Sequence, residues 1–247
     1  MEKVIEITHI HRDTKGAKIG MWLFLFSELL FFGGLFLFYS AFRFSFPLDF
    51  AKGSRELSLT IGTINTLILL SSSLTVALSI ASFEKGKKNH SLLFIFLTIF
   101  FGILFLVNKY FEWSDKIKHG IYPGSELLSS LSRGEVSFFN LYYVITGIHG
   151  LHVLIGVVIF IVMFFIYSKE PRKKIDLWGK ELKNLKGKNI LGIEIDENVK
   201  EIKIDIRLLK REEIVKKVDH TKLFNAGLYW HFVDIAWIFI FPLFYLI

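Results

Sequence analysis

Ionisable side chains stand inside otherwise apolar stretches of this sequence, at spacings that share a helix face. His231 and Asp234 are three residues apart in an aromatic and aliphatic run, and His149 and His152 repeat the same spacing in another. Glu28 lies in a third run of this kind. A charge removed from water at membrane depth costs about 2.5–3.5 kcal/mol or more, and such residues face a protein interior, a partner or a water-filled cavity. We therefore expect these residues to form a shared internal site.

The composition is that of a chain integral to a bilayer. Hydrophobic residues make up 52% of it, the mean hydropathy is +0.47, and 27 phenylalanines stand against 4 prolines. The absence of cysteine excludes disulfides, thiolate nucleophiles and cysteine-ligated clusters, so any metal would need histidine and carboxylate ligands. The net charge is +7, and the basic residues lie mainly in short connections and one long insert. Basic residues in such loops are typical of membrane proteins, where they set the orientation of the helices. We expect no nucleic-acid partner.

Five apolar runs are long enough, or nearly so, to cross a hydrocarbon core, which takes about 20 residues. They cover residues 19–42, 59–83, 91–111, 138–167 and 223–247. The runs are apolar nearly all round, so helices are the natural way to satisfy their backbones. The sequence predicts an all-α bundle of five transmembrane helices. Residues 1–18 form a polar tail without the features of a cleavable signal, and the run that follows should stay as a membrane anchor.

The second apolar run carries small polar side chains at helical spacing. They are Asn65, Thr66, Ser71, Ser72, Ser73 and Thr75. Small and hydroxyl-bearing residues are common where membrane helices touch, so we interpret these as helix-packing positions.

Positive charge predicts the orientation of the bundle. Four basic residues lie in the 1–18 tail and three in the short 84–90 loop, whereas the C-terminal run carries none. The positive-inside rule then places the N-terminus in the cytoplasm and the C-terminus outside. The basic residues of the 113–135 loop argue the other way, but long loops count for little in this rule. We expect the membrane to be the inner (plasma) membrane of a prokaryote.

Residues 168–222 form a charged insert before the last run. Within it, residues 193–196 and 202–206 alternate with period two around residues 197–199, which predicts a hairpin, and residues 208–218 are typical of a short charged helix. The insert is therefore interpreted as a small, partly β, cytoplasmic appendage. A solvated linker that binds nothing is the alternative.

Five motifs in this order resemble subunit III of the haem-copper terminal oxidases, the cytochrome c oxidase subunit III family. They are KIGMWLFLFSE at residues 18–28, NTLILLSS at 65–72, KYFEW at 109–113, TGIHGLHV at 146–153 and YWHFVD at 229–234. Longer members have seven helices, so this chain is similar to a short form that lacks the first two. In the longer members those two helices wall a lipid-filled cleft, and the resemblance leaves bound phospholipid here dependent on another subunit for that wall. The 168–222 insert is longer than the family's usual connection.

The resemblance implies a supporting subunit of an oxidase that reduces oxygen to water with proton pumping. Haem and copper are then expected in the partner catalytic subunit, with no cofactor in this chain. Partners would be that catalytic subunit (subunit I), subunit II and membrane lipids. The implied roles are packing, lipid binding, support of proton uptake and stability of the complex. Either cytochrome c or a quinol could be the electron donor.

The buried polar residues have structural and proton-handling interpretations. A carboxylate in low dielectric must be protonated or paired, so we expect Glu28 to contact His149 or His152. We expect His231 and Asp234 to bond to each other, to a tryptophan N–H or to a neighbouring chain, with lipid headgroup binding as the alternative. Glu112 lies near a helix end where anchoring is the ordinary role. Lys109, on the same helix, is expected to snorkel.

Two other function classes remain open from the sequence. The residues Glu28, Glu112, His149, His152, His231 and Asp234 could supply a metal-dependent membrane enzyme. The di-iron pattern, however, needs paired Glu-x-x-His repeats, which this chain lacks. An independent transporter would also tolerate buried charges, but we find no internal repeat of the kind such folds contain.

Overall fold

In the parts of the chain that it describes, the computed structural model consists of helices joined by turns and short loops. The described parts are residues 14–168 and 200–247, with the backbone alone for residue 14 and residues 200–219. The helices are α1 (Thr14–Ser45), α2 (Pro47–Arg55), α3 (Leu59–Glu84), α4 (Lys88–Lys118), α5 (Glu126–Ser129), α6 (Arg133–Ser168) and α7 (Lys200–Tyr245).

Five of these helices are long and apolar enough to cross a membrane, as the sequence predicted. The spans are Lys15–Ser45, Leu59–Glu84, Lys88–Lys118, Arg133–Ser168 and His220–Tyr245. Successive spans alternate in direction. We call the side that holds the start of α1 and residues 85–87 the N-terminal side, and the side that holds α2, α5 and the end of α7 the C-terminal side.

The short connections follow from local sequence. Gly86 adopts φ +70°, a left-handed conformation that glycine tolerates and that lets α3 turn directly into α4. On the C-terminal side, Pro47 opens α2 at a position where its missing N–H costs nothing. A capping box begins α6: the Glu135 N–H donates to Ser132 Oγ (3.3 Å), and the Ser132 N–H donates to Glu135 Oε2 (3.2 Å).

The last helix forms the centre of the packing. Half of its apolar window is buried inside the protein (50%), against 11% for α1. The Trp230 indole fills a gap between α4 and α6 that two glycines leave open. A Cβ at Gly102 would stand 2.8 Å from Trp230 Cη2, and one at Gly156 would stand 2.7 Å from Trp230 Cε3. The bundle therefore closes around the motif that contains His231 and Asp234.

The prediction of a partly β insert is wrong where it can be checked. Residues 202–206, assigned to the second strand, lie inside α7, and the predicted 208–218 helix is part of the same continuous element. The proposed first strand, residues 193–196, lies outside the described residues. Ile202, Ile206 and Leu209 also fit the i, i+4, i+7 spacing of a helix, and this longer period decides the structure.

Candidate functional site

Glu28 on α1 contacts His152 on α6, which is one of the two contacts that the sequence predicted. The atoms Glu28 Oε2 and His152 Nε2 are 3.0 Å apart, and both side chains are largely buried. The other ring nitrogen, Nδ1, lies 2.8 Å from the Ile148 carbonyl oxygen, which only accepts, so Nδ1 carries a proton and donates it there.

The Nδ1–H assignment restricts the Glu28–His152 contact to one shared proton. Either the imidazole is cationic and Nε2–H donates to a carboxylate, or Glu28 is protonated and its O–H donates to a neutral Nε2. The pair is neutral overall in both forms, which fits a site inside a bilayer. The Tyr229 O–H fixes this turn of α6 from the other side by donating to the His152 carbonyl (3.0 Å).

His149 occupies a separate, fully buried position and does not reach Glu28. Its ring packs against Phe105 (ring centroids 5.5 Å apart, nearly perpendicular) and against Trp237 (5.2 Å apart). Neither ring nitrogen has a hydrogen-bond partner among the described residues. Of the two predicted partners of Glu28, His149 is therefore the wrong one.

Glu112 belongs to a buried network at the C-terminal side of the bundle. Lys109 Nζ donates to Glu112 Oε2 (2.9 Å), to Tyr142 Oη (3.0 Å) and to Tyr245 Oη (3.1 Å). The hydroxyls of Tyr142 and Tyr245 in turn donate to Glu112 Oε1 at 2.8 and 2.6 Å. All three ammonium donors of Lys109 are thus used, and the four side chains join α4, α6 and α7.

The expectation that Lys109 snorkels is wrong. Its side chain is 9% exposed and that of Glu112 is 2% exposed, so the pair is removed from both water and lipid. The sequence signal for this pair was the i, i+3 spacing on one helix. Tyr142 and Tyr245 were not among the predicted site residues, and they complete the network because α6 and α7 bring them to α4.

His231 and Asp234 do not bond to each other. His231 Nδ1 lies 2.7 Å from Ser73 Oγ on α3. Asp234 is buried beside the same serine, yet neither of its carboxylate oxygens has a hydrogen-bond partner of good geometry within the described residues. The tryptophan N–H groups on either side are engaged elsewhere, since Trp230 donates to Ser72 Oγ (2.9 Å) and Trp237 donates to Thr66 Oγ1 (3.0 Å).

The small polar residues of α3 lie mainly between helices. Besides the two that accept from tryptophans, Asn65 Oδ1 accepts from Asn108 Nδ2 on α4 (3.0 Å). Thr75 Oγ1 lies 2.8 Å from Thr98 Oγ1, also on α4. Ser71 differs, because it faces outward and donates only to the Leu67 carbonyl of its own helix (2.8 Å).

Comparison with known protein families identifies the family to which this sequence is similar. A family model described as cytochrome c oxidase subunit III matches residues 1–175, most of the chain. The chain belongs to the cytochrome c oxidase subunit III family. Among curated relatives, the cytochrome c oxidase subunit 3 of Thermostichus vulcanus is 28% identical over 98% of this chain and 93% of its own length. The subunit 3 proteins of Damaliscus lunatus and Neotragus moschatus are each 27% identical over 97% of this chain and 73% of theirs.

Membership of the subunit III family makes this chain a multi-pass membrane subunit of a respiratory oxidoreductase complex. The family model covers α1 to α6, and the alignments with the relatives include nearly the whole chain. The Glu28–His152 pair and the Lys109–Glu112 pair lie within the residues that the family model matches.

The six ionisable residues do not converge as a metal site would require. Glu28 pairs with His152, Glu112 with Lys109 and two tyrosines, and His231 with Ser73. In residues 14–168 and 220–247, no group of three histidine or carboxylate side chains is placed to hold a metal ion.

Proposed function

We propose that this chain is a non-catalytic supporting subunit of a haem-copper oxidase, packing against the catalytic subunit (subunit I) and subunit II. In this proposal haem and copper reside in the catalytic subunit, which reduces oxygen and pumps protons. The observation that carries the proposal is the separation of the buried ionisable residues into small sets that join helices. Family membership supports the complex itself.

The outer surface supports a role in assembly. Large apolar side chains along α1 are strongly exposed, among them Leu23 (66%), Leu30 (62%) and Leu37 (73%). These residues recur every seven positions and form one stripe on the helix. Lipid or a partner helix would cover such a stripe in the membrane.

The Glu28–His152 pair supports a role in proton handling. Its one shared proton can move between Nε2 and Oε2 without changing the net charge of the site. Both groups keep some exposure, 13% for the His152 side chain and 19% for that of Glu28. The pair would thus hold a proton beside the catalytic subunit in addition to fastening α1 to α6.

A cavity on the C-terminal side supports lipid binding. Its volume is about 390 Å³, and its lining includes Phe42, Phe46, Leu131 and Arg133. Apolar walls with one cationic donor fit an acyl chain and its phosphate. Arg133→Gln should lower the phospholipid retained per chain after detergent purification, whereas Arg55→Gln, at an exposed position elsewhere, should not.

Orientation is part of the proposal, with the N-terminal side in the cytoplasm of a prokaryotic inner membrane. Lys85, Lys87 and Lys88 crowd the turn between α3 and α4, and this short loop counts fully in the positive-inside rule. The chain has no cysteine, so single cysteines report topology directly. An impermeant maleimide should label Ser130→Cys from outside intact cells and Lys87→Cys only after lysis; the reverse pattern would contradict the orientation.

The central test is purification of the tagged chain from its own membranes in mild detergent. We expect haem and the catalytic subunit to co-elute with it. Glu28→Ala should lower that retention while leaving oxygen reduction per haem unchanged in the complexes that survive, and Glu126→Ala, at an exposed position, should do neither. A chain that elutes alone, or that carries its own haem, would refute the proposal.

A further inference from the structure

A groove between α3 and α7 opens on the outer surface of the bundle in its N-terminal half. Its volume is about 310 Å³. The lining residues include Ala77, Ala81, Glu84, Phe224, Gly227 and His231. Glycine keeps the helices close here, because a Cβ at Gly227 would stand 2.7 Å from Ile80 Cδ1 on α3. Ile80 packs towards Gly227, and the two alanines, one turn apart, keep the rest of the α3 wall low, which is how membrane helices admit a neighbouring helix.

The groove runs from the membrane surface to about the middle of the bilayer. At its mouth, His220 Nε2 lies 2.8 Å from Glu84 Oε1. Its inner end is marked by the His231–Ser73 contact, eleven residues further along each helix and thus about 16 Å deeper. Half of a hydrocarbon core is about 15 Å. Lipid tails at that depth offer no hydrogen bond to the imidazole.

The inner end of the groove has unused hydrogen-bonding capacity. His231 Nδ1 is engaged with Ser73, but its Nε2 has no hydrogen bond within the part of the chain that the structure describes. One turn further along α7, Asp234 is 3% exposed and both of its carboxylate oxygens lack partners among the described residues. A buried carboxylate without donors is costly, so a group outside the described residues should satisfy it.

One hydrogen-bond pattern satisfies all three groups together. If a donor from outside binds His231 Nε2, that nitrogen is the acceptor and the proton of the neutral ring lies on Nδ1. Nδ1–H then donates to Ser73 Oγ, which frees the Ser73 O–H to donate to Asp234. With the opposite tautomer, the Ser73 O–H must donate to Nδ1 and Asp234 stays without a partner.

We propose that this α3–α7 groove receives a transmembrane helix of another oxidase subunit, which donates a side-chain hydrogen bond to His231 Nε2. The occupant lies along Ala77, Ala81 and Gly227 and carries a serine, threonine, asparagine, glutamine or basic residue at mid-membrane depth. Docking sets the His231 tautomer, and through Ser73 it supplies the donor that Asp234 lacks. This inference rests on the proposed function, since it names the surface by which the chain joins the complex.

The absence of cysteine allows a direct test in the whole complex. A photo-crosslinker attached at Ala77→Cys should mark a transmembrane peptide of one other oxidase subunit. Attachment at Ser71→Cys, exposed on a different face of α3, should give several-fold less of that product. Products only with phospholipid, products only with a second copy of this chain, or no product would each overturn the inference.

Two further variants test separately the contribution of the groove's shape and that of the hydrogen bond to docking. Ala77→Leu fills the groove while keeping every polar group in the chain and should abolish the crosslink from Ala81→Cys, whereas Ser71→Leu should not. Ser73→Ala interrupts the route to Asp234 and should raise the dissociation rate of the chain from the complex about three- to tenfold, the value of one hydrogen bond between membrane helices. Ser71→Ala is the matched control, and equal rates for the two alanine variants would refute the hydrogen-bond route.

The outcomes distinguish this inference from the proposed function. If the unmodified tagged chain brings no haem, the proposed function fails. If it brings haem but the probe at residue 77 marks only lipid, the chain is an oxidase subunit that docks by another surface.

Discussion

Breaking the buried Lys109–Glu112 pair is the sharpest test of how this bundle is held together. Removing one partner of a buried ion pair costs about 3–5 kcal/mol, because the other charge stays behind uncompensated. In Lys109→Met, Glu112 Oε1 would keep the donors Tyr142 and Tyr245. We therefore expect the free energy of unfolding to fall by about 3 kcal/mol, the lower end of that range. For a chain of this size that corresponds to about 6–12 °C in the unfolding midpoint.

The double variant Lys109→Met with Glu112→Leu should recover most of this loss. Both charges leave together, and apolar side chains of similar volume often replace a buried pair at little cost. The two tyrosine hydroxyls, 3.5 Å apart, can then bond to each other. We expect the double variant to lie within about 1.5 kcal/mol of the unmodified chain.

The assay is unfolding of the purified chain in mild detergent, followed by tryptophan fluorescence. Trp237 is a local reporter, since Lys109 Nζ stands 5.5 Å from the centre of its ring. Lys118→Met, at an exposed position on the same helix, is the control and should change stability by no more than about 0.5 kcal/mol. If Lys109→Met lowers the free energy of unfolding by less than about 1 kcal/mol, the lysine is solvated and the reasoning is wrong. If the losses of the two single variants add up in the double variant, the two residues act independently.

Three further predictions concern the packing around Trp230 and an open position on α1. Gly102→Val should destabilise the chain by about 1–3 kcal/mol, because its Cβ would stand 2.6 Å from Val157 Cγ2 and 2.8 Å from Trp230 Cη2. Gly34→Ala should stabilise it by about 0.5–1 kcal/mol, since no atom lies within 4 Å of the added Cβ. Trp230→Phe leaves the Ser72 hydroxyl without its 2.9 Å N–H donor and should cost about 1–2 kcal/mol. Unfolding midpoints in detergent measure all three, and a destabilised Gly34→Ala would contradict the assignment of open space there.

The five spans could be predicted because hydropathy is a property of each segment alone. Helices α2 and α5 were not predicted, although Pro47 and the N-cap Ser125 are local start signals for them. A short amphipathic helix beside a transmembrane span gives a much weaker signal than the span. The prediction of a strand in the insert was wrong for a related reason. The five alternating residues 202–206 fit a strand, but the longer pattern around them fits a helix.

The partners of the buried polar groups could not be predicted from the sequence. His149 and His152 are about one turn apart on α6, and only the path of α1 decides which of them Glu28 meets. Lys109 was expected to snorkel because a lone lysine near a helix end has that option. Tyr142 and Tyr245 instead hold the ammonium group inside the bundle. They lie 33 and 136 residues further along the chain, on α6 and α7, so the sequence around Lys109 gives no sign of them.

Hydrogen-bond satisfaction separates two kinds of buried polar group in this subunit. In the Lys109 network every ammonium donor and both carboxylate oxygens are used, so the network has nothing left to offer a partner and serves the fold. The His231 motif is the opposite: within the described ranges, an imidazole nitrogen beside a groove and the carboxylate behind it have no hydrogen-bond partner. A membrane protein keeps such a cost when assembly removes it. Under the proposed docking, the unsatisfied groups of the His231 motif, rather than the Lys109 network, would mark where this chain meets another subunit. His149 also lacks a partner among the described residues, but it is fully buried and lies at no groove, so an unsatisfied group indicates a contact only where a groove reaches it.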